Sequence, residues 1–314
     1  FSSPWYKGMA PEKMQYETYP GSYDYKYPKS GMQNSLVSVH TFDIKSKVTR
    51  TMDLQLDKED YIPRIRFTSD PEKLAIMVLN RHQNRFDLYF ANPRSTLCKV
   101  AIRDEAPQYI KEQAYANIEF FDKNIVMMSE RDGYNHLYLY TIGGNLVKQI
   151  TKGDFEVKDF LGWDQNANVF YYTSNEESPL RTAVYKIDAK GKKTKLSTRV
   201  GTNSAIFSHS MKYYINTYSS ISTPTRITIN NNQGNELKTL MDNAALKEKV
   251  ARLNMPIKEF FTFTTSDGVK LNGWMMKPAN FNPNKKYPVI MHQYSGPGSQ
   301  QVIDRWNIGS FSDG

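Results

Sequence analysis

Short apolar runs alternate with polar turns along the first 240 residues, and the runs recur in pairs. Four segments share one grammar: an apolar strand, a polar turn, an aromatic-rich alternating strand, then a turn of Gly, Lys or Asn. Leu74–Leu79 leads through Asn80–Arg85 into Phe86–Phe90. Asn124–Met128 leads through Arg131-Asp-Gly-Tyr-Asn135 into His136–Tyr140. Val169–Thr173 leads past Pro179 into Ala183–Ile187, and Lys212–Asn216 leads past Pro224 into Thr225–Ile229. Leu36–Phe42 has the pattern of the late strand of an earlier unit. Such runs, bounded by turn residues, predict strands rather than helices.

The late strands begin near 36, 86, 136, 183 and 225, a spacing of about 42–50 residues. Four short antiparallel strands per unit of that length is the signature of a β-propeller blade. An irregular β-sandwich is the competing architecture, and the regular period favours the propeller. No Gly-His/Trp-Asp signature marks a WD40 array, and five units at most are visible.

The grammar changes after Leu240. Asp242–Asn254 predicts a helix with Asp242 as its N-cap and Leu246, Val250 and Leu253 on one face. Phe260–Thr264, a Ser266-Asp-Gly268 turn and Val269–Met276 predict a β-hairpin. Val289–Tyr294 is short, apolar and uninterrupted, as in a strand buried on both faces of a largely parallel sheet. It breaks at Ser295-Gly-Pro-Gly-Ser299, and a loop at the carboxyl end of such a strand is where α/β folds put ligand chemistry.

Composition narrows the picture. The 314 residues suit two domains, and 39% hydrophobic content with a mean hydropathy of −0.63 indicates a globular chain rather than a disordered one. The net charge of +9 comes from loop lysines such as Lys190, Lys192, Lys193 and Lys195, with no basic helix face or aromatic-interleaved stripe. A solvated surface is the reading, and no nucleic-acid partner is expected. No apolar run reaches the length of a transmembrane helix. Cys98 stands alone, which excludes an intrachain disulfide and a cysteine zinc cage. The chain opens at Phe1 and stops at Gly314 inside a recognisable unit, so a piece of a longer protein is expected.

Candidate chemistry is sparse. No two of His40, His82, His136, His209 and His292 have zinc-site spacing, and each is read as structural. Glu176-Glu177 and Arg131-Asp132 fall in inter-strand turns and read as solvated hairpins. No phosphate loop, dinucleotide fingerprint or metal-ligand pattern occurs, so no cofactor and no metal are expected. No Gly-x-Ser-x-Gly turn is present, and Gly309-Ser-Phe-Ser-Asp-Gly314 has the wrong spacing for one. Tyr294 is the remaining candidate. It ends the predicted buried strand, the glycines beside it clear space for a substrate backbone, and a phenol can donate a hydrogen bond to an oxyanion developing on a carbonyl.

Several stretches resemble the dipeptidyl peptidase IV family: Ser129-Glu-Arg-Asp-Gly-Tyr-Asn-His136, Ile150–Val157, Glu236–Leu246, Lys285-Lys-Tyr-Pro-Val289 and Gln293-Tyr-Ser-Gly-Pro-Gly-Ser-Gln300. Tyr23-Asp-Tyr-Lys-Tyr-Pro-Lys-Ser-Gly31 is similar to the segment that leads into that family's later blades. The resemblance implies an eight-bladed propeller joined to an α/β-hydrolase domain. It implies a serine peptidase that releases X-Pro or X-Ala dipeptides from peptide amino termini, and it matches the family's oxyanion tyrosine to Tyr294. The Ser-Asp-His triad is expected beyond Gly314, and the amine-gripping glutamate pair before Phe1; Glu176-Glu177 lacks that pair's sequence context.

On this resemblance the fold class is mainly β: a partial β-propeller followed by the first strands of an α/β-hydrolase domain. The division expected is propeller over 1–241, linker helix over 242–258 and hydrolase start over 259–314. The partners expected are peptides with Pro or Ala second, with the parent a homodimer. The absence of Asn-x-Ser/Thr sequons argues against a glycosylated eukaryotic ectodomain, so a bacterial protein is expected, and the localisation expected is periplasmic or secreted, in the cell envelope. The alternatives are another prolyl oligopeptidase-type peptidase, or a non-catalytic propeller scaffold.

Overall fold

The computed structural model describes residues 31–253, 256, 258–294, 296 and 298–306. The Tyr23–Lys29 stretch, Ser295, Pro297, the Asn254 end of the predicted helix and Gly309–Gly314 lie outside the described residues. The chain divides into two compact units, one reaching to Arg131 with Tyr138–Lys148, the other comprising Asp132–Leu137 with Gln149 onward.

In chain order the strands of the repeating region begin with the pair β1 (His40–Phe42) and β2 (Thr49–Thr51). The first four-stranded sheet is β3 (Tyr61–Phe67), β4 (Leu74–Leu79), β5 (Arg85–Ala91) and β6 (Cys98–Glu105), in that order. After the short helix α1 (Glu112–Ala116) come β7 (Glu119–Phe120), β8 (Asn124–Ser129), β9 (His136–Thr141) and β10 (Leu146–Gln149), again neighbours in sequence order. The third sheet is β11 (Val157–Asp164), β12 (Val169–Ser174), β13 (Ala183–Asp188) and β14 (Lys193–Lys195). The fourth is β15 (Thr202–Phe207), β16 (Tyr213–Ser220), β17 (Thr223–Asn231) and β18 (Glu236–Met241). Then come helix α2 (Ala244–Arg252) and the hairpin β19 (Lys258–Thr264) with β20 (Lys270–Met276).

Each predicted strand pair forms the two central strands of a sheet. Their patterns carry the packing. In β4, Ala75, Met77 and Leu79 face a core with Phe86, Leu88, Ile125, Met127 and Tyr138. The alternate residues Leu74, Ile76 and Val78 face a second core with Val39, Met52, Tyr89 and Ala91. Both faces are therefore buried, and all six residues are solvent-shielded. Burying each large side chain contributes about 1.5–3 kcal/mol. In the other unit, Tyr171, Val184, Leu196, Ala205 and Tyr214 form a comparable core.

The turns follow from single polar side chains. Asn80 Oδ1 accepts the backbone N–H groups of Asn84 and Arg85, each at 3.0 Å, which closes the β4–β5 hairpin. Asp188 Oδ1 does the same for Lys190 and Lys192, each at 2.9 Å, between β13 and β14.

Three expectations change. Leu36–Phe42 is strand only from His40. The helix starts at Ala244, because Asp242 Oδ1 accepts the Ala244 N–H at 3.1 Å and Asn243 takes a left-handed φ of 54°. Leu253 falls just past it as the C-cap, and the helix has no buried residue. Val289–Tyr294 is not a buried strand either. Val289, Ile290 and Met291 are 88%, 89% and 84% exposed, and no strand among the described residues lies beside them. Pairing with a neighbouring ladder defines a strand, and an exposed run without one leaves its backbone N–H and C=O groups to bond water instead. Past α2 the described residues hold one two-stranded hairpin and no parallel sheet.

Candidate active site

Tyr294 lies in the irregular segment that follows the β19–β20 hairpin and is 62% exposed. The glycine two residues on is fitted to it. A Cβ built on Gly296 would stand 2.6 Å from Tyr294 Cε1 and 3.0 Å from its hydroxyl oxygen, so a side chain there would displace the phenol. Gly298 has φ +77°, a left-handed conformation that glycine adopts without strain. Ser299 donates its N–H to Gly296 O at 3.2 Å and closes a turn.

The chain then docks on the fourth sheet and the loop before β13. Gln300 Nε2 donates to Val302 O at 2.9 Å and, more weakly, to Pro179 O at 3.4 Å. Asp304 is 4% exposed. Its Oδ2 accepts from Arg181 Nε at 2.8 Å, and its Oδ1 accepts from the Ile221 backbone N–H at 3.0 Å. Asp304 N–H donates to Leu180 O at 2.8 Å, and Thr202 Oγ1 donates to Asp304 O at 2.9 Å. Sequence reasoning passed over Asp304 and Arg181. Lone charged residues 123 apart carry no local signal.

The other candidates behave structurally. Glu176 pairs with Lys193 through Oε2, and both oxygens of Glu177 accept from Lys195 Nζ at 2.7 Å. The pair is thus tied to β14 rather than presented to a ligand. Burial raises the pKa values of Tyr172 and Tyr185, with the Glu176 charge adding to the effect. His136 is fully buried, with Nδ1 3.0 Å from Thr151 Oγ1 and Nε2 2.9 Å from Gly153 O. A carbonyl oxygen only accepts, so Nε2–H donates to Gly153 O, and Leu137 N–H also donates to Thr151 Oγ1 at 3.0 Å. Arg131 departs from the solvated-hairpin reading. Its Nε donates to Ser129 Oγ at 3.0 Å, its guanidinium lies 3.1 Å from Asp104 Oδ1, and it covers the Tyr138 ring at 4.6 Å. His209 and His292 join no cluster, and among the described residues no group of three or more His, Cys, Asp or Glu is placed to hold a metal ion.

Sequential four-stranded antiparallel meanders, with central strands buried on both faces in the first three and on alternate residues in the fourth, define the fold class as a β-propeller, mainly β. A family model of the dipeptidyl peptidase IV (DPP IV) N-terminal region matches residues 7–225, and the chain belongs to that family. It is 28% identical over 310 residues to a probable dipeptidyl peptidase 4 of Emericella nidulans, covering 94% of this chain and 40% of the relative. It is 29% identical to the dipeptidyl peptidase 4 of Trichophyton rubrum, covering 98% of this chain and 41% of that protein. Among solved structures, dipeptidyl peptidase 4 of Porphyromonas gingivalis superposes with a TM-score of 0.88 at 44% identity, covering 93% of this chain and 42% of that one. A putative dipeptidyl aminopeptidase IV of Bacteroides ovatus gives 0.78 at 26% identity, covering 90% and 43%. The chain therefore spans about two fifths of the length of the curated relatives it matches.

Proposed function

We propose that this chain is the later propeller and the start of the catalytic part of a serine exopeptidase that releases X-Pro and X-Ala dipeptides from peptide amino termini. In this reading residues 1–241 are propeller, 242–258 the linker and 259–314 the beginning of the hydrolase domain. Tyr294 serves as an oxyanion donor. As a serine hydroxyl attacks the scissile carbonyl, the carbonyl oxygen takes negative charge, and a phenol O–H preset there stabilises that charge more than the ground state. The nucleophile, its Asp and His partners and the carboxylates that hold the substrate's free amine come from outside residues 1–314. We place the protein in a bacterial cell envelope or periplasm, as a homodimer.

The observation that carries the assignment of Tyr294 is the fit of its phenol over Gly296, where a Cβ would come within 3.0 Å of the hydroxyl oxygen. The test is Tyr294→Phe in the complete enzyme, assayed with a Gly-Pro chromogenic substrate. Loss of the hydroxyl alone is expected to lower kcat by roughly 10²–10³-fold with KM little changed, the usual effect of removing one oxyanion donor. Residues 1–314 alone are expected to give no turnover. An unchanged kcat in the variant refutes the role of Tyr294, and serine-inhibitor-sensitive turnover by residues 1–314 refutes the division of the site.

A further inference from the structure

Every polar group of Asp304 is engaged. Both carboxylate oxygens, the N–H and the C=O each meet a partner, and the partners come from three places: the Leu180–Arg181 loop before β13, Thr202 at the start of β15, and Ile221 in the β16–β17 turn. Two residues on, Trp306 N–H donates to Ser219 Oγ at 3.2 Å. A buried carboxylate is costly unless paired and hydrogen-bonded, and this one is both. Four directional bonds admit a single seating of the segment on the sheet.

The position of that seating gives it meaning. Asp304 follows Tyr294 by ten residues, with the Gly296–Ser299 turn between them. Upstream of Tyr294, Val289–Met291 are exposed and have no strand beside them among the described residues. Downstream of the tyrosine the chain is held through Asp304, with Gln300 and Trp306 adding contacts to Pro179 O and Ser219 Oγ.

We infer that Asp304 is a positioning residue: by docking residues 298–306 on the β15–β18 blade it sets where the Tyr294 phenol is held. The inference rests on the reading of Tyr294 as an oxyanion donor. Asp304 touches no reacting atom; it acts through the loop. A donor displaced by about 1 Å from its productive place can lose up to about 100-fold in rate.

The test combines kinetics with hydrogen exchange in the complete enzyme. Asp304→Ala is expected to lower kcat on a Gly-Pro chromogenic substrate by about 10–100-fold, with KM within about threefold. Asp304→Asn keeps an acceptor for the Ile221 N–H but removes the charge opposite Arg181, and is expected to fall between the two. In a Tyr294→Phe background, Asp304→Ala is expected to cause no further loss, because no hydroxyl is left to position. A full multiplicative loss in that background, or an unchanged kcat in Asp304→Ala, overturns the positioning role. Faster exchange of the Ile221 amide in Asp304→Ala supports the docking, and unchanged exchange overturns it whatever the activity. A wild-type enzyme that cleaves neither X-Pro nor X-Ala substrates, with Ile221 protection still dependent on Asp304, refutes the proposed function and the positioning role while the docking stands.

Discussion

Arg103 clamps Asp87 with two hydrogen bonds, Nε to Oδ1 at 2.6 Å and a terminal nitrogen to Oδ2 at 2.9 Å, across neighbouring strands β5 and β6. Asp87 is 3% exposed, whereas the Arg103 side chain is half exposed. The pair also holds the Arg103 guanidinium more firmly protonated, first through the hydrogen bond and then through the Asp87 charge.

Removing the arginine leaves the carboxylate buried, with Arg85 Nε at 3.5 Å as its remaining ion pair among the described residues. Arg103→Met is therefore expected to destabilise the sheet by about 2 kcal/mol, below the full penalty for a fully buried pair because Arg103 is half solvated. The double variant Asp87→Leu/Arg103→Met should recover much of the loss. Urea midpoints of the three variants check this, and an additive double variant contradicts it.

Gly144 and Gly191 occupy the same backbone region, with φ of +89° and +84°, but differ in surroundings. A Cβ on Gly144 would stand 1.9 Å from Ala101 O, while one on Gly191 would meet nothing within 4 Å. Gly191→Ala should cost about 1–2 kcal/mol, the left-handed penalty alone. Gly144→Ala adds a backbone collision and should exceed about 3 kcal/mol, in the range of the severest point substitutions. Paired melting curves decide; equal losses would contradict the packing of Gly144 against Ala101.

Cys98 in β6 is half-buried, and its thiol donates to Thr96 O at 3.4 Å. Burial, and then the Asp53 charge, push its pKa up to about 11. The thiolate is the reactive form, so labelling by a thiol reagent near neutral pH should be about two orders of magnitude slower than for a free cysteine. The rate should keep rising with pH until the thiol ionises near 11. Asp53→Asn should move that rise to lower pH. A labelling curve that levels off near pH 8.5 would contradict the burial of this thiol.

The candidate site was partly legible in the chain. Tyr294 stood out because a tyrosine followed closely by Gly296 and Gly298 is a local pattern, and its close approach to Gly296 is local too. Asp304 was not legible. Its partners Arg181, Thr202 and Ile221 lie 83 to 123 residues away, and nothing in the residues around Asp304 distinguishes it from a solvated charge. Arg131 looked like an exposed turn residue for the same reason, since Asp104 and Tyr138 lie on other strands.

By itself the sequence determined the central strands of the four sheets and the turns that join them. Leu74–Leu79 and Val169–Thr173 are apolar on both faces, and Asn80 closes its turn with its own side chain, so both signals act within a few residues. Only the tertiary structure decided the outer strands and the fate of the segment before Tyr294. Strand β18, exposed at all six residues, exists because β17 offers it a ladder. Val289–Met291 are far more apolar, yet they remain unpaired coil among the described residues. Hydrogen bonds to a neighbour make a strand, and where that neighbour stands is set by packing between residues distant in sequence.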